Sequence, residues 1–456
     1  MTKRFFALLA ALLLILYALP AAAAEKRTDC PELFHATVEF EERKEEDNRY
    51  YISKEYLLTK NEKINQILRQ RTDDFDAALR PRMQPCQDNN AKRNSRLDIE
   101  TVYTFTGDSW ISTMVIARHT YQRVQLEAPF ITGTYDLLTG EEILLTDIFP
   151  AGSPAWDLLA QRTEAHLSSL FPEDPRNPEA IAALITPEAL QTASFTLSAM
   201  ELTLHYPANQ VYENRPGLMH VRFFYDELWD MMTDTARIQT DNTDWKMVAL
   251  TCDDGASYTN SPAALTNFRR AGARVTYFTV GVDCTENPDI LMRQFDQNHL
   301  IACHTYSHKS GHALKVETRI KEVEKHSQLM QSLVGEASRL FRAPGGTYPP
   351  WIESGTGMPI IQWSVDTYDY TGKKPDRILY SIQHNVQDGD VILMHDTGKY
   401  LHKAVPLFAE YLWENGYMMV TVEELARAND VVMEPDVVYY RFFEGRTDVR
   451  EDSNLR

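Results

Sequence analysis

Two kinds of hydrophobic pattern divide this chain. From Met247 onward, short apolar runs alternate with amphipathic stretches. The runs are Met247–Thr251, Arg274–Val280, Leu300–Cys303, Arg339–Phe341, Ile360–Trp363, Val391–Met394 and Tyr417–Val420. Each is the length of a strand buried on both faces. Between the first two lies a helix that Ser261 can cap, with Pro262 in its first turn, Leu265 and Phe268 on one face, and Gly272 past its end. Asn287, Pro288, Leu291 and Phe295 repeat that arrangement, and Leu401–Asn415 ends at Gly416. Val316, Ile320, Val323 and Met330 form the apolar stripe of a longer helix. Strand–helix alternation of this kind predicts a parallel sheet, and seven units fit a barrel-like closure better than a flat sheet.

The first half reads differently. A polar helical stretch, Asn61–Leu79, precedes strand-like runs at Asp98–Thr106, Ser109–Arg123, Gly133–Leu138 and Glu142–Leu145. Ser153–Leu170 and Pro178–Leu190 read as helices, and Leu197–Tyr206 and Leu218–Tyr225 as strands. This is an α+β pattern over residues 25–235. Asp234–Asp244 reads as a polar linker, a preferred site for limited proteolysis, and residues 245–430 as a second domain able to fold alone. Residues 431–456 read as a charged C-terminal tail. The expected fold class is α/β: a distorted (β/α)7 barrel C-terminal domain preceded by a smaller α+β domain.

The N-terminus adds a location. Lys3 and Arg4 precede an apolar run from Phe5 to Leu19, followed by Pro20 and Ala21–Ala24. That layout predicts a secretory signal over residues 1–24, with a retained membrane anchor as the alternative. The chain is expected to be exported to the cell surface or periplasm, or secreted. A formal net charge of −19 over 456 residues opposes binding to phosphate backbones, so nucleic acid is not an expected partner, whereas a neutral glycan is acceptable. Of the five cysteines, Cys30 and Cys86 lie in the first half and Cys252, Cys284 and Cys303 in the second, with no CxxC pair that would suggest a structural zinc knuckle. In an oxidising compartment Cys30 and Cys86 can pair, as can two of the other three.

Polar residues follow the second-half strands directly. Asp253 and Asp254 follow the first run, His304 and His308 the third, Arg342 the fourth, Asp366 and Asp369 the fifth, and His395 the sixth. Parallel barrels build their sites at the C-terminal ends of their strands, so these residues are expected to converge on one pocket. His304 and His308 stand four apart and, joined by a carboxylate, form a set that suits zinc or a similar divalent ion with positions left open. His119, His166, His205 and His220 are scattered and read as surface or packed side chains.

TCDDG, HTYSH, FRAPGG, SVDTYDY and ILMHD resemble, in order and approximate spacing, the five motifs of the carbohydrate esterase family 4 (NodB-homology) polysaccharide deacetylases. The resemblance covers roughly Met247–Ala426. It implies that Asp254, His304 and His308 hold the metal, that Asp253 is the general base oriented by Arg342, and that His395 is the general acid. The carboxylates of DTYDY, Asp369 first and Asp366 second, would tune that acid. Leu393 would line the slot for the acetyl methyl, a backbone N–H near Gly345 would face the oxyanion, and Tyr370 would sit where the family commonly has Trp. Cys252 replaces the usual aromatic before the Asp pair, Gly345 stands where many members have Tyr or Phe, and Gly346–Trp363 is about one helical turn short. These departures leave the substrate preference open.

GTYDLLTGEEILLTDIF (Gly133–Phe149), with Phe195–Leu228, is similar to a domain of unknown function found before some peptidoglycan deacetylases and in lysozyme-sensing anti-sigma factors. It implies a binding or spacing module, with a protein ligand as one option.

The function expected is metal-dependent N-deacetylation of a cell-wall polysaccharide, peptidoglycan first. Chitooligosaccharide or exopolysaccharide is the alternative substrate, and a silent glycan- or protein-binding module the alternative class.

Overall fold

The computed structural model describes residues 26–45, 50–83, 95–122, 124–443 and 446–447. The signal segment and Cys86 lie outside them. No helix among the described residues is long and apolar enough to cross a membrane.

The second half folds as the strand–helix alternation requires. Lys246–Asp254 is central, with Thr276–Thr279 and then Leu300–Cys303 on one side and Val391–His395 and then Val365–Asp366 on the other, all parallel. Tyr417–Val420 pairs with the start of the central strand. Closure comes through single bridges: Phe341 joins Cys303 to Ile360, and five residues later Val365 has crossed to pair with Ile392. The stretch from Ile360 to Asp366 thus belongs to both edges and shuts a distorted seven-stranded barrel. Side-chain alternation separates two cores. Ala249, Phe278, Ala302, Ile361 and Val391 fill the interior, and Val248, Leu250, Tyr277 and Ile392 meet the surrounding helices.

The first half holds a seven-stranded mixed sheet. The Glu62–Leu79 helix crosses between the parallel strands Tyr50–Leu58 and Ser95–Thr106, and the latter makes a long hairpin with Trp110–Tyr121. A three-stranded antiparallel sheet, Phe195–Leu197, Glu201–Pro207 and Leu218–Phe224, follows. The short strand Val124–Glu127 escaped the sequence pattern, as did two longer ones, Thr37–Glu45 and Tyr50–Leu58. Thr37–Glu45 is an edge strand and is rich in charge, and Tyr50–Leu58 carries Lys54 and Glu55 at its middle, buried by ion pairing rather than apolar contact.

The expected polar linker is a helix. Thr233 caps Asp234–Thr240 by accepting from the Ala236 N–H, and Ala236, Thr240 and Asn242 are buried. Asn242 donates to Thr106 Oγ1 and the Ala199 carbonyl at 3.1 and 2.6 Å. The expected tail also differs through residue 443: Val438–Tyr439 pairs with Ile360–Ile361, and Phe442 is fully buried.

One apolar core runs through both halves. Phe34 stacks on Phe105 at 4.4 Å and on Trp245 at 5.6 Å, and Trp413 meets both Phe105 and Trp245 edge-on. Around it lies a buried ionic seam. Arg269 pairs with Glu55 and donates to the Thr101 carbonyl, and Arg293 pairs with Glu100. Arg118 reaches Asp296 at 3.2 Å, and Arg274 reaches Glu201 at 2.7 Å and Glu424 at 2.9 Å. These groups lie at helix ends and at the starts of barrel strands. The first domain therefore seals the face of the barrel opposite the strand ends that carry the candidate chemistry.

Removing one member of such a seam strands its partner. Glu100→Ala leaves Arg293 and Arg269 short of a carboxylate, and the expected loss is about 3–5 kcal/mol. Chemical denaturation read by fluorescence checks it, and a single transition for both halves is expected in parent and variant.

Candidate active site

The strand ends converge. Asp253 and Asp254 close the central strand, and alternation sends them to different sides. Asp253 is buried and its Oδ1 accepts from Arg342 Nη1 at 2.7 Å. Arg342 is fully buried and also donates to Thr251 Oγ1 at 2.8 Å and to the Ile361 and Gln362 carbonyls at 2.9 and 3.0 Å. Its guanidinium lies 4.1 Å from the centroid of the Phe278 ring. A planar cation held through all three of its nitrogens cannot rotate, so the Asp253 carboxylate is held in one orientation.

Asp254, His304 and His308 form a candidate metal site, their ligand atoms within 4.8 Å of one another. His308 Nε2 stands 3.2 Å and His304 Nε2 3.8 Å from Asp254 Oδ1. His304 Nδ1 is 2.8 Å from the Arg342 carbonyl, which can only accept. That contact puts the proton on Nδ1 and leaves the Nε2 lone pair facing the cluster, as a ligand requires. The residues fit a divalent ion: two imidazoles and one carboxylate, with open positions. Burial opposes ionisation of Asp254, but the imidazoles of His308, His304 and His395 outweigh it and bring the carboxyl to about 2.

His395 stands across the site. Its Nδ1 is 2.9 Å from Asp369 Oδ1, and its backbone N–H donates to Asp369 Oδ2 at 2.8 Å. Burial disfavours the imidazolium, but Asp369, Asp253 and Asp254 outweigh it and raise the imidazole to about 9. At neutral pH the site therefore holds a deprotonated Asp254 and a protonated His395 in one pocket. An arrangement of this kind can bind a cation, take a proton from water at Asp253 and deliver one from His395 Nε2.

Asp366, expected with Asp369 beside His395, takes another role. Its Oδ1 accepts from the Tyr368 N–H at 2.7 Å, and its Oδ2 lies 3.4 Å from the Tyr370 hydroxyl. Tyr368 adopts φ +53, and this left-handed turn swings Asp369 rather than Asp366 beneath the imidazole. Tyr370 is exposed and meets the His395 ring edge-on at 5.3 Å. Leu393 is buried beside Thr251 and Asp366 in the barrel register. Gly345 adopts φ +62, and the space where a side chain would project is open.

Cys252 faces away from Asp253 into the layer under the helices, where burial raises its thiol well above the usual range. Cys30, Cys252, Cys284 and Cys303 are free thiols. His205 and His220, expected as packed side chains, are buried against each other with 2.8 Å between their Nδ1 atoms. Asp396 went unmarked in the ILMHD motif. Its carboxyl is buried beneath Gly255, where a Cβ would meet its Oδ2 at 2.9 Å, and burial raises it to about 7. The signal available was an acid at the end of a strand whose neighbours are apolar.

Residues 240–354 match the family model described as polysaccharide deacetylase. Among curated proteins, peptidoglycan-N-acetylglucosamine deacetylase PgdA of Listeria monocytogenes is 28% identical over 180 residues, 40% of this chain and 39% of its own. A peptidoglycan-N-acetylglucosamine deacetylase of Bacillus cereus is 29% identical over 190 residues, 40% of this chain and 89% of its own. Peptidoglycan-N-acetylmuramic acid deacetylase PdaC of Bacillus subtilis is 25% identical over 187 residues, 41% of this chain and 40% of its own. This chain thus spans about two fifths of the length of the first curated relatives it matches.

Two outcomes follow from the geometry. The His304→Ala, His308→Ala double variant should lose saturable zinc binding by calorimetry while keeping its far-ultraviolet circular dichroism. Asp369→Asn should lower the His395 titration from about 9 towards the ordinary imidazole range, read by NMR of the ring protons. Because the folded value is raised, the His395–Asp369 pair stabilises the fold fully below the ordinary imidazole range and loses that contribution as pH rises through about 9.

Proposed function

We propose that this chain is an exported, metal-dependent N-deacetylase that hydrolyses acetamido groups of N-acetylated sugars in peptidoglycan. The observation that carries the reading is the flanking of the Asp254–His304–His308 cluster by two groups primed in opposite senses: Asp253, fixed by Arg342, and His395, held protonated by Asp369. The curated relatives named above, two N-acetylglucosamine deacetylases and one N-acetylmuramic acid deacetylase, support the substrate class.

An amide carbonyl resists water at neutral pH, and the leaving amine departs poorly unless protonated. A divalent ion in the cluster, zinc by the chemistry of its donors, supplies Lewis-acid polarisation of the carbonyl and of water. Asp253 accepts the proton of the attacking water as the new C–O bond forms. The oxyanion of the tetrahedral adduct faces the backbone near Gly345, which can donate an N–H without obstruction by a side chain. His395 Nε2 gives its proton to the sugar nitrogen as the C–N bond breaks, leaving acetate and a free amine. Leu393 lines the slot for the acetyl methyl, and exposed Tyr370 offers an aromatic wall for a sugar ring.

Location follows from substrate. Lys3, Arg4 and the apolar run to Leu19 support export by a signal, and an uncleaved signal would place the enzyme on the membrane surface. The sequence resemblance of the first domain supports a binding role there, with glycan or protein as the ligand.

Open space at Gly345 suits a broad range of glycans, so chitin oligomers belong in the same assay as peptidoglycan. Asp253→Asn keeps the shape of the carboxylate but cannot take the proton. Acetate release should fall by about 100- to 10,000-fold while glycan binding persists. Equal release by parent and variant would contradict the assignment of the base. Binding without release from the parent would favour a silent binding module.

A further inference from the structure

The turn that carries both histidines is strained. Thr305 adopts φ +68 and His308 φ +53, a region that side chains with a Cβ avoid unless the surroundings impose it. The first part of the turn is tied to the barrel. The His304 N–H donates to the Thr279 carbonyl at 3.0 Å, and the Gly281 and Val282 N–H groups donate to the Thr305 and Tyr306 carbonyls at 3.1 and 2.8 Å. Beyond Tyr306 the restraint passes to the Val316–Val334 helix. Glu322 accepts from the Ser307 N–H through Oε2 and from Ser307 Oγ through Oε1, both at 2.7 Å. One turn further along, Lys325 Nζ lies 3.6 Å from the centroid of the Tyr306 ring.

Glu322 is a carboxylate on the buried face of its helix, between Arg319 and Val323, and no salt bridge to it occurs among the described residues. Burying a charge without a counter-ion is unfavourable unless hydrogen bonds replace the lost water. Both oxygens of Glu322 are answered by one residue, Ser307, which sits next to a candidate metal ligand. Val323, Met330 and Val334 on this face serve packing, whereas Arg319, Glu322 and His326 each make hydrogen bonds.

We propose that Glu322 is a positioning residue for the metal site. It clamps Ser307, holds the turn in its left-handed geometry, and thereby keeps His308 Nε2 beside Asp254 Oδ1. The proposal rests on the reading of Asp254, His304 and His308 as metal ligands. His308 depends on the clamp more than His304 does, because its side chain is 47% exposed and that of His304 only 2%. His304 also has its own tether, the Arg342 carbonyl.

The test is zinc affinity of the full chain, measured by competition with a chromophoric chelator, for the parent, Glu322→Ala, Glu322→Gln and Ser307→Ala. Loss of a partner that orients a ligand weakens metal binding by about 10- to 100-fold, and Glu322→Ala should fall in that range. Glu322→Gln should recover most of the affinity, because its amide oxygen still accepts from the Ser307 N–H and its NH2 can donate to Ser307 Oγ. Ser307→Ala removes only one of the two bonds and should lose less than Glu322→Ala. It also keeps the test decisive if Glu322→Ala does not fold, because unchanged affinity in Ser307→Ala together with a loss in Glu322→Gln equal to any unfolded variant would reject the clamp. Parent-like zinc affinity in folded Glu322→Ala would overturn the proposal while leaving the metal site intact. Failure of the parent to bind zinc would overturn both the clamp and the reading beneath it.

Discussion

The buried guanidinium of Arg342 is the constraint on which the site depends. Its side chain ties the Asp253 carboxylate, the Thr251 hydroxyl and two carbonyls of the Ile361–Gln362 bend into one unit. Its own backbone carbonyl fixes the ring of His304. One residue thus orients a candidate base, a candidate metal ligand and the strand bend that closes the barrel. Burial lowers the guanidinium below its usual range, opposed by Asp253. The cation remains charged because arginine starts so high. The charge then offsets the buried Asp253 carboxylate, which accepts from it at 2.7 Å.

On that frame the site separates protons. Asp254 is held low by three imidazoles, while His395 is held high by three carboxylates, each ordering set against the burial that works in the other direction. The groups lie on different strand ends: Asp253 and His395 are register partners on neighbouring parallel strands, and barrel closure adds Arg342 beside them. The single-residue bridges at Phe341 are therefore part of the chemistry as much as of the fold. On the opposite face, the first domain shares a core and an ionic seam with the barrel, and among its described residues none belongs to the site.

Much of the barrel was legible because a parallel strand buried on both faces has nowhere to put a polar residue except its end. The apolar runs ending in Asp253, Cys303, Phe341 and Met394 marked both strands and chemistry. Other features were hidden for physical reasons. Thr37–Glu45 carries too much charge to read as a strand, Tyr50–Leu58 is interrupted by Lys54 and Glu55, and the partner that buries Glu55, Arg269, lies 214 residues away. The helix at Asp234–Thr240 is too short to show a period. Whether Asp366 or Asp369 served His395 hung on the backbone angle of Tyr368, to which no residue pattern in DTYDY points. Glu322 lies off the Val316, Ile320, Val323 and Met330 stripe, so neither its burial nor its partner Ser307 showed in the apolar pattern.

The central claim is that one metal-dependent site removes acetyl groups from a cell-wall glycan. The most direct measurement is mass spectrometry of purified peptidoglycan after incubation with the full chain, with zinc and with excess chelator. The account predicts sugars that have lost acetyl in step with acetate release, only in the zinc sample. Unchanged glycan with every divalent ion tried, or equal deacetylation in the chelated sample, would contradict it.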